Sequence, residues 1–257
     1  MKKILFFLSC SLFLFSCSKE SNPVKEDSQN TLKATTTVCG QYDNISAGQY
    51  FLMNNIWGSG AGSQCIWYTS TNSWGANSSH TGSGIKSYPA LVRGCHWGNC
   101  SSNSGLPKQI SALSSSLATS WTQTSSATAY DAAYDIWFDA SSNPGGRAAT
   151  YELMIWTNWA NTQPIAASYN SSGVAVPSFS NVSVGGVTFN VYKRGNVFSF
   201  LRTSKSNSIN VNLKSVINYC VTKGWLSNSH YLISIQCGWE IITGGTFKTT
   251  AYSVSNL

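Results

Sequence analysis

Residues Ala148–Trp159 read AATYELMIWTNW, a run of aromatic, branched and long apolar side chains interrupted by a single acid, Glu152. Such a run reads as a β-strand, and in a strand residues two apart share a face. Tyr151, Leu153 and Ile155 then form one face, which is core-like. Glu152, Met154 and Trp156 form the other, combining a carboxylate, a thioether and an indole. That second face suits the floor of a sugar site. A glutamate buried without a partner loses several kcal/mol of hydration. Either a cation reaches it from a distant strand, or the carboxylate is there to do chemistry, and the pattern alone leaves both open.

Working outward, strand-like runs recur with Gly, Asn and Ser breaks between them. They include GQYFLMNNIWG, QCIWYTS, SWTQTS, AAYDIWFDA, GVTFNVYKRG, VFSFLRTS, HYLISIQCGWEII and FKTTAYSVSNL. Short strands at this spacing predict a sandwich or jelly roll. One segment differs. In NVNLKSVINYCVTKG, Leu213, Val216, Ile217 and Cys220 recur at helical spacing and Gly224 supplies a stop, which predicts one helix. The body, residues 38–257, shows no internal repeat and no linker, so it reads as one domain.

Composition agrees. Only 10% of the 257 residues are charged, while aromatics reach 13%. The formal charge of +7 is partly a property of the N-terminal segment. From Ala34 onward eleven Lys or Arg face six Asp or Glu, with no basic run longer than Lys193-Arg194. Nucleic-acid binding calls for a clustered basic patch, and the sequence has none.

The first seventeen residues, MKKILFFLSCSLFLFSC, have the form of a secretory leader: two lysines, a short apolar run, then small residues. Leu14-Phe15-Ser16-Cys17 resembles a bacterial lipobox, which implies cleavage before Cys17 and acylation of its thiol. An ordinary signal peptide cut nearby is the alternative. Residues 18–37 are polar and read as a disordered tether. The expectation is an outer-membrane lipoprotein, periplasmic or surface-facing, that meets the membrane through its lipid alone. SKES after Cys17 points to the surface.

Six cysteines remain in the exported body: Cys39, Cys65, Cys95, Cys100, Cys220 and Cys237. An even number in an oxidising compartment predicts disulfides. Cys95 and Cys100 flank four residues and suggest a local staple. If Cys220 lies on the buried helix face it can bridge Cys237, leaving Cys39 with Cys65. A zinc site on Cys95, His96 and Cys100 lacks a fourth ligand at usable spacing. His80, His96 and His230 are scattered and read as surface or loop residues.

The body holds six acids: Asp43, Asp131, Asp135, Asp139, Glu152 and Glu240. Both glutamates sit inside apolar strands rather than turns. Asp135 shares its face with Trp137 and Asp139, and Glu240 shares its face with Gly238 and Ile242. Two carboxylates across a cleft can divide the work of glycoside hydrolysis, one as nucleophile and one as proton donor.

A series of motifs now resembles the family-12 glycoside hydrolases over roughly Cys39 to Leu257. YFLMNNIWG followed by SQC is similar to the family's N-terminal strand, with Asn55 and Trp57. AAYDIWFD is similar to the strand of an assisting aspartate, Asp135, and YELMIW to the nucleophile strand, with Glu152 and the cleft residue Met154. TQPI follows, and GWEIITGGT is similar to the acid/base strand, with Glu240 as donor. GCHWGNC resembles a small disulfide loop of bacterial members.

The resemblance implies an all-β jelly roll, a concanavalin-like sandwich of two antiparallel sheets with a concave cleft, plus one α-helix. It implies a retaining endo-β-1,4-glucanase or xyloglucanase, with carboxyls about 5–5.5 Å apart for a covalent intermediate. It implies no metal and no organic cofactor, and a monomer acting on β-glucan or xyloglucan. Asp135 would hydrogen-bond Glu152 or tune its charge. For stacking on sugar rings, Trp57 and Trp156 are the first candidates, then Trp97 and Trp159. Trp239 alternates with Glu240 and is expected in the core. The TQPIAASYN stretch and Trp239 depart from the family's usual residues without touching either glutamate. The rival reading is a non-catalytic glycan-binding surface lipoprotein, which would need the aromatics but not both glutamates.

Overall fold

The computed structural model describes residues 34–257. The leader, Cys17 and residues 18–33 of the tether lie outside the described residues. The first strands are β1 (Thr36–Val38), β2 (Asn44–Ala47), β3 (Tyr50–Met53), β4 (Gln64–Ser70), β5 (Ser73–Ser78) and β6 (Ala90–His96). There follow β7 (Asn99–Cys100), β8 (Lys108–Gln109), β9 (Ala118–Ser125), β10 (Tyr130–Asp139), β11 (Tyr151–Ala160), β12 (Ser168–Tyr169) and β13 (Ala175–Val176). The last are β14 (Phe179–Val184), β15 (Val187–Arg194), β16 (Val197–Arg202), β17 (Ser208–Asn212), β18 (Tyr231–Ile241) and β19 (Gly245–Ser255). The helix α1 (Leu213–Thr222) precedes β18. Every strand-like run of the sequence is a strand. The tether, however, ends two residues early: Thr36 and Thr37 pair with Tyr68 and Trp67 of β4, because the β-branched TTTV run suits an edge strand.

Two sheets form the body, a β-jelly roll. The smaller has the order β1-β4-β5-β19-β9-β17, and the larger β14-β15-β16-β11-β10-β18-β6-β3-β2. Pairing is antiparallel except between β11 and β16, which run parallel, a departure from the all-antiparallel expectation. The chain leaves β11, travels out to the sheet edge as β14, and returns through the β15–β16 hairpin, so β16 runs with β11.

Alternation decides what each strand buries. On β10, Tyr130, Ala132, Tyr134, Ile136 and Phe138 enter the core between the sheets. Leu153 and Ile155 of β11 and Cys237, Trp239 and Ile241 of β18 join them. Three indoles lock the layers together. Trp74 and Trp121, from the smaller sheet, stack with ring centres 6.4 Å apart. Trp239, from the larger sheet, tilts against both at 5.2 and 5.3 Å. Its indole N–H donates to Gln123 Oε1 at 3.0 Å. Trp239 is therefore core, as its alternation with Glu240 requires.

The helix forms as its spacing indicates. Asn212 caps it by accepting from the Ser215 N–H at 2.8 Å, and Gly224 follows in the left-handed region at φ 70°. Leu213, Val216, Ile217 and Cys220 face the core.

Two disulfides are present, Cys39–Cys65 and Cys95–Cys100. The third expected bridge does not form: Cys220 and Cys237 are free and buried. Helix α1 packs on β9 and β14, whereas Cys237 sits mid-strand on β18 among Tyr50, Tyr134 and Tyr252. Both thiols sit unbridged in the core between the sheets, and burial pushes the Cys220 thiol above its ordinary range.

Candidate active site

The concave face of the larger sheet carries the residues that alternation turns away from the core. β10 contributes Asp131, Ala133, Asp135 and Trp137, β11 contributes Glu152, and β18 contributes Gly238 and Glu240. β10 runs between the other two: Glu152 pairs across from Trp137, and Glu240 pairs across from Asp131. Asp135 lies between those registers, where it feels the charge of both glutamates.

A cleft of about 600 Å³ opens over this face. Asp135, Glu152, Glu240, Asn55, Trp57 and Trp97, all singled out in the sequence, line it together. So do Tyr42, Asn44, Phe51, Met53, Tyr88, His96, Asn99 and Trp137. Trp137 was legible from its shared face with Asp135. Tyr88 was not, because it enters from the segment before β6 and donates its hydroxyl to the Ala133 carbonyl at 3.1 Å.

Three residues expected at the cleft, Met154 as a neighbour of the nucleophile and Trp156 and Trp159 as stacking faces, are not among those that line it. Met154 and Trp156 are buried in an apolar cluster with Ala133 and Leu201, because side chains from β16 cover this end of the sheet. The Trp159 ring carries the Lys205 ammonium 4.6 Å from its centre, so a cation occupies that face. Trp57 and Trp97, in contrast, are 49% and 62% exposed. Two features present Trp97. It stands at φ 49°, followed by Gly98 at φ 81°, in the tight turn of the β6–β7 hairpin where His96 pairs with Asn99. A bulky residue there is strained, and the Cys95–Cys100 bridge closes the hairpin beneath it.

His80 and His230 lie in loops as expected, but none of the three histidines is exposed: His230 is half-buried, stacked on Tyr151. His80 is buried, with Nε2 2.9 Å from Gln64 Oε1, inside the network that supports Asn54. His96 lines the cleft, and its Nδ1 accepts from the Gln236 amide at 3.2 Å. Burial lowers its pKa to about 4, so it is neutral. The thiols beside it are joined to each other, which leaves no thiolate pair for a metal.

Electrostatics set the site apart. Asp131 is fully buried and Asp135 is 6% exposed, and burial is the first cause pushing both far above the ordinary aspartate range. Burial likewise raises Glu152 and Glu240, and Glu240's charge raises Glu152 further. Among the described residues the one ion pair is Arg147–Asp139, so no cation offsets the four carboxyls. The four carboxyls thus share a raised proton affinity, and of a coupled pair the first to ionise keeps its neighbour protonated.

Gly238 lets this geometry exist. A side chain there would place its Cβ 2.2 Å from the Pro89 carbonyl oxygen and 2.7 Å from Ala90 Cβ, so β18 and β6 could not pair closely beside Glu240.

The chain is 38% identical over 219 residues to "Endoglucanase S" of Pectobacterium parmentieri, covering 80% of this chain and 81% of that protein. It is 34% identical over 242 residues to "Xyloglucan-specific endo-beta-1,4-glucanase A" of Emericella nidulans, covering 88% and 93%. Among solved structures, the xyloglucanase domain of NopAA, a type three effector from Sinorhizobium fredii in complex with cellobiose, superposes with a TM-score of 0.74. It shares 32% identity and covers 86% of this chain and 99% of that one. A profile described as "Glycosyl hydrolase family 12" matches residues 48–256, and the chain belongs to that family.

Proposed function

We propose that this protein is a retaining endo-acting glycoside hydrolase that cleaves internal β-1,4-glucosidic bonds of cellulose-type β-glucans or xyloglucan. The observation that carries the reading is a pair of half-buried carboxyls, Glu152 and Glu240, with no cation beside them on the floor of one open cleft. Endoglucanase and xyloglucanase activity among the relatives supports it.

In this reading Glu152 is the nucleophile and Glu240 the acid/base, following the YELMIW and GWEIITGG motifs. Glu152 attacks the anomeric carbon while Glu240 gives its proton to the leaving glycosidic oxygen. Water then attacks the glycosyl–enzyme ester, and Glu240 takes back the water's proton. Asp135, kept protonated by burial and by the charges on either side, supports the ionised form of Glu152. Trp57 and Trp97 offer exposed indole faces for sugar rings to stack on. An open cleft suits cleavage inside long chains.

The test is release of oligosaccharides from xyloglucan, mixed-linkage β-glucan and carboxymethyl-cellulose by wild type and Glu240→Ala. Release by wild type alone upholds the enzyme, and the ranking of the polymers names the substrate. Binding by both proteins with release by neither would establish a glycan-binding surface protein instead. The lipobox-like Leu14-Phe15-Ser16-Cys17 further supports an anchor to the outer membrane through acylated Cys17. Mass spectrometry of the mature N-terminus checks that, and an unacylated mature chain would refute it.

A further inference from the structure

Asp131 is an acid that the double displacement leaves without a task. It is fully buried, it does not line the cleft, and the groups that act on it most strongly are the side chain and backbone N–H of Glu240 on the neighbouring strand. An ionised carboxylate in that position would be strongly disfavoured. The chain gives it one polar neighbour. Asp131 on β10 and Glu240 on β18 are direct cross-strand partners, so their side chains leave the sheet on the same face as immediate neighbours.

We propose that Asp131 is a positioning residue for Glu240: it keeps its own proton and donates it in a hydrogen bond to one Glu240 oxygen, leaving the other oxygen to face the leaving group. The proposal rests on the reading of Glu240 as acid/base. The groups around Glu240 favour this arrangement. Asp135 on β10 and Glu152 on β11 are acids, and the Tyr88 hydroxyl is committed to Ala133. No Lys, Arg or His is paired with any of these carboxyls among the described residues. Burial and the charge of Glu240 both push Asp131 up, while the shared hydrogen bond pulls Glu240 back down.

The proton balance is simple. In glycosylation Glu240–H loses its proton to the glycosidic oxygen, and the new carboxylate is stabilised by the Asp131 O–H. In deglycosylation water loses a proton to Glu240 and its oxygen bonds to the anomeric carbon as the bond to Glu152 breaks, returning the Glu152 carboxylate. Asp131 begins and ends protonated. The pairing also locks the Glu240 rotamer, since a carboxyl held at one oxygen cannot swing away from the cleft.

The experiment measures kcat and KM against pH on xyloglucan and mixed-linkage β-glucan for wild type, Asp131→Asn, Asp131→Leu and Glu240→Ala. An amide N–H is a weaker donor to a carboxylate than a carboxylic O–H. Asp131→Asn should therefore move the alkaline limb of kcat/KM upward by about one pH unit. Asp131→Leu, with no donor, should lower kcat about tenfold or more with KM within about twofold. Alkaline limbs that stay in place in both variants, or losses confined to melting temperature, would overturn the positioning role. The Asn variant is nearly isosteric, so it reports even where Asp131→Leu folds poorly. Wild-type hydrolysis by Glu240→Ala would overturn the acid/base reading and this inference with it. An inactive Glu240→Ala beside unmoved limbs overturns the positioning role alone.

Discussion

Glu152 and Glu240 stand on strands that never pair with each other, and Asp135, on the strand between them, feels the charge of both. The two catalytic candidates act on each other directly, and both act on Asp135, with no cation between them. Division of labour follows from that coupling. Glu152→Gln, isosteric but not nucleophilic, should lower kcat by roughly 10⁴ or more while leaving the circular dichroism unchanged. Glu240→Gln should cost about 10² to 10⁴ on polymer and far less on aryl glycosides whose leaving group needs no proton. Near-normal turnover by the Glu152 variant would remove it from the nucleophile's role.

The same cluster sets how stability varies with pH. Glu152, Glu240, Asp131 and Asp135 are all raised in the fold above unfolded values of about 4. The native state thus holds more protons than the unfolded chain above that pH, and stability falls as pH rises through the folded values. Asp139 has the opposite sign. The Arg147 guanidinium and the N–H and hydroxyl groups around it hold it well below its ordinary range, so its contribution is present above pH of about 4 and is lost as pH falls. Melting temperatures between acid and alkaline pH should show wild type declining toward pH 8, with Glu152→Gln declining less. Asp139→Asn should flatten the acid side. A wild-type melting temperature that rises steadily to pH 8 would contradict the raised carboxyls.

Exposure separates two kinds of tryptophan. Trp97→Ala removes a stacking face worth about 0.5–1.5 kcal/mol, so KM should rise up to about tenfold with melting temperature nearly unchanged. Trp156→Ala instead empties a buried site and should cost about 3–5 kcal/mol of stability. Kinetics and calorimetry on the pair test the assignment, and a KM effect without a stability loss at Trp156 would return it to the cleft.

Gly238→Ala tests the close approach of β18 to β6. With the new Cβ 2.2 Å from a carbonyl oxygen, the strands must separate beside Glu240. Overpacking of this kind costs about 1–3 kcal/mol, and kcat should fall together with melting temperature because Glu240 is displaced. Equal stability and turnover in the variant would show that the strands yield without disturbing the site.

Much of this was written in the chain. Period-two alternation placed Leu153 and Ile155 in the core and Glu152 on the opposite face, because a strand offers only two sides. It put Trp239 in the core and Glu240 on the cleft face for the same reason. Helical spacing and Gly224 located α1. Alternation fixes only the side, however, not what covers it. Met154 and Trp156 share a face with Glu152, yet β16 lies beside β11 and buries them. His96 and Tyr88 reach the cleft from segments far from either glutamate in the chain, so no local pattern marks them. Cys220 and Cys237 were even in number and well placed in pattern, but pairing depends on distance in three dimensions. Local sequence determined which residues are strands and which side each faces, through the fixed geometry of the extended backbone. Strand order alone decided that β10 runs between the two glutamates and sets Asp131 directly beside Glu240, since which strands become neighbours depends on how the whole chain buries its apolar faces.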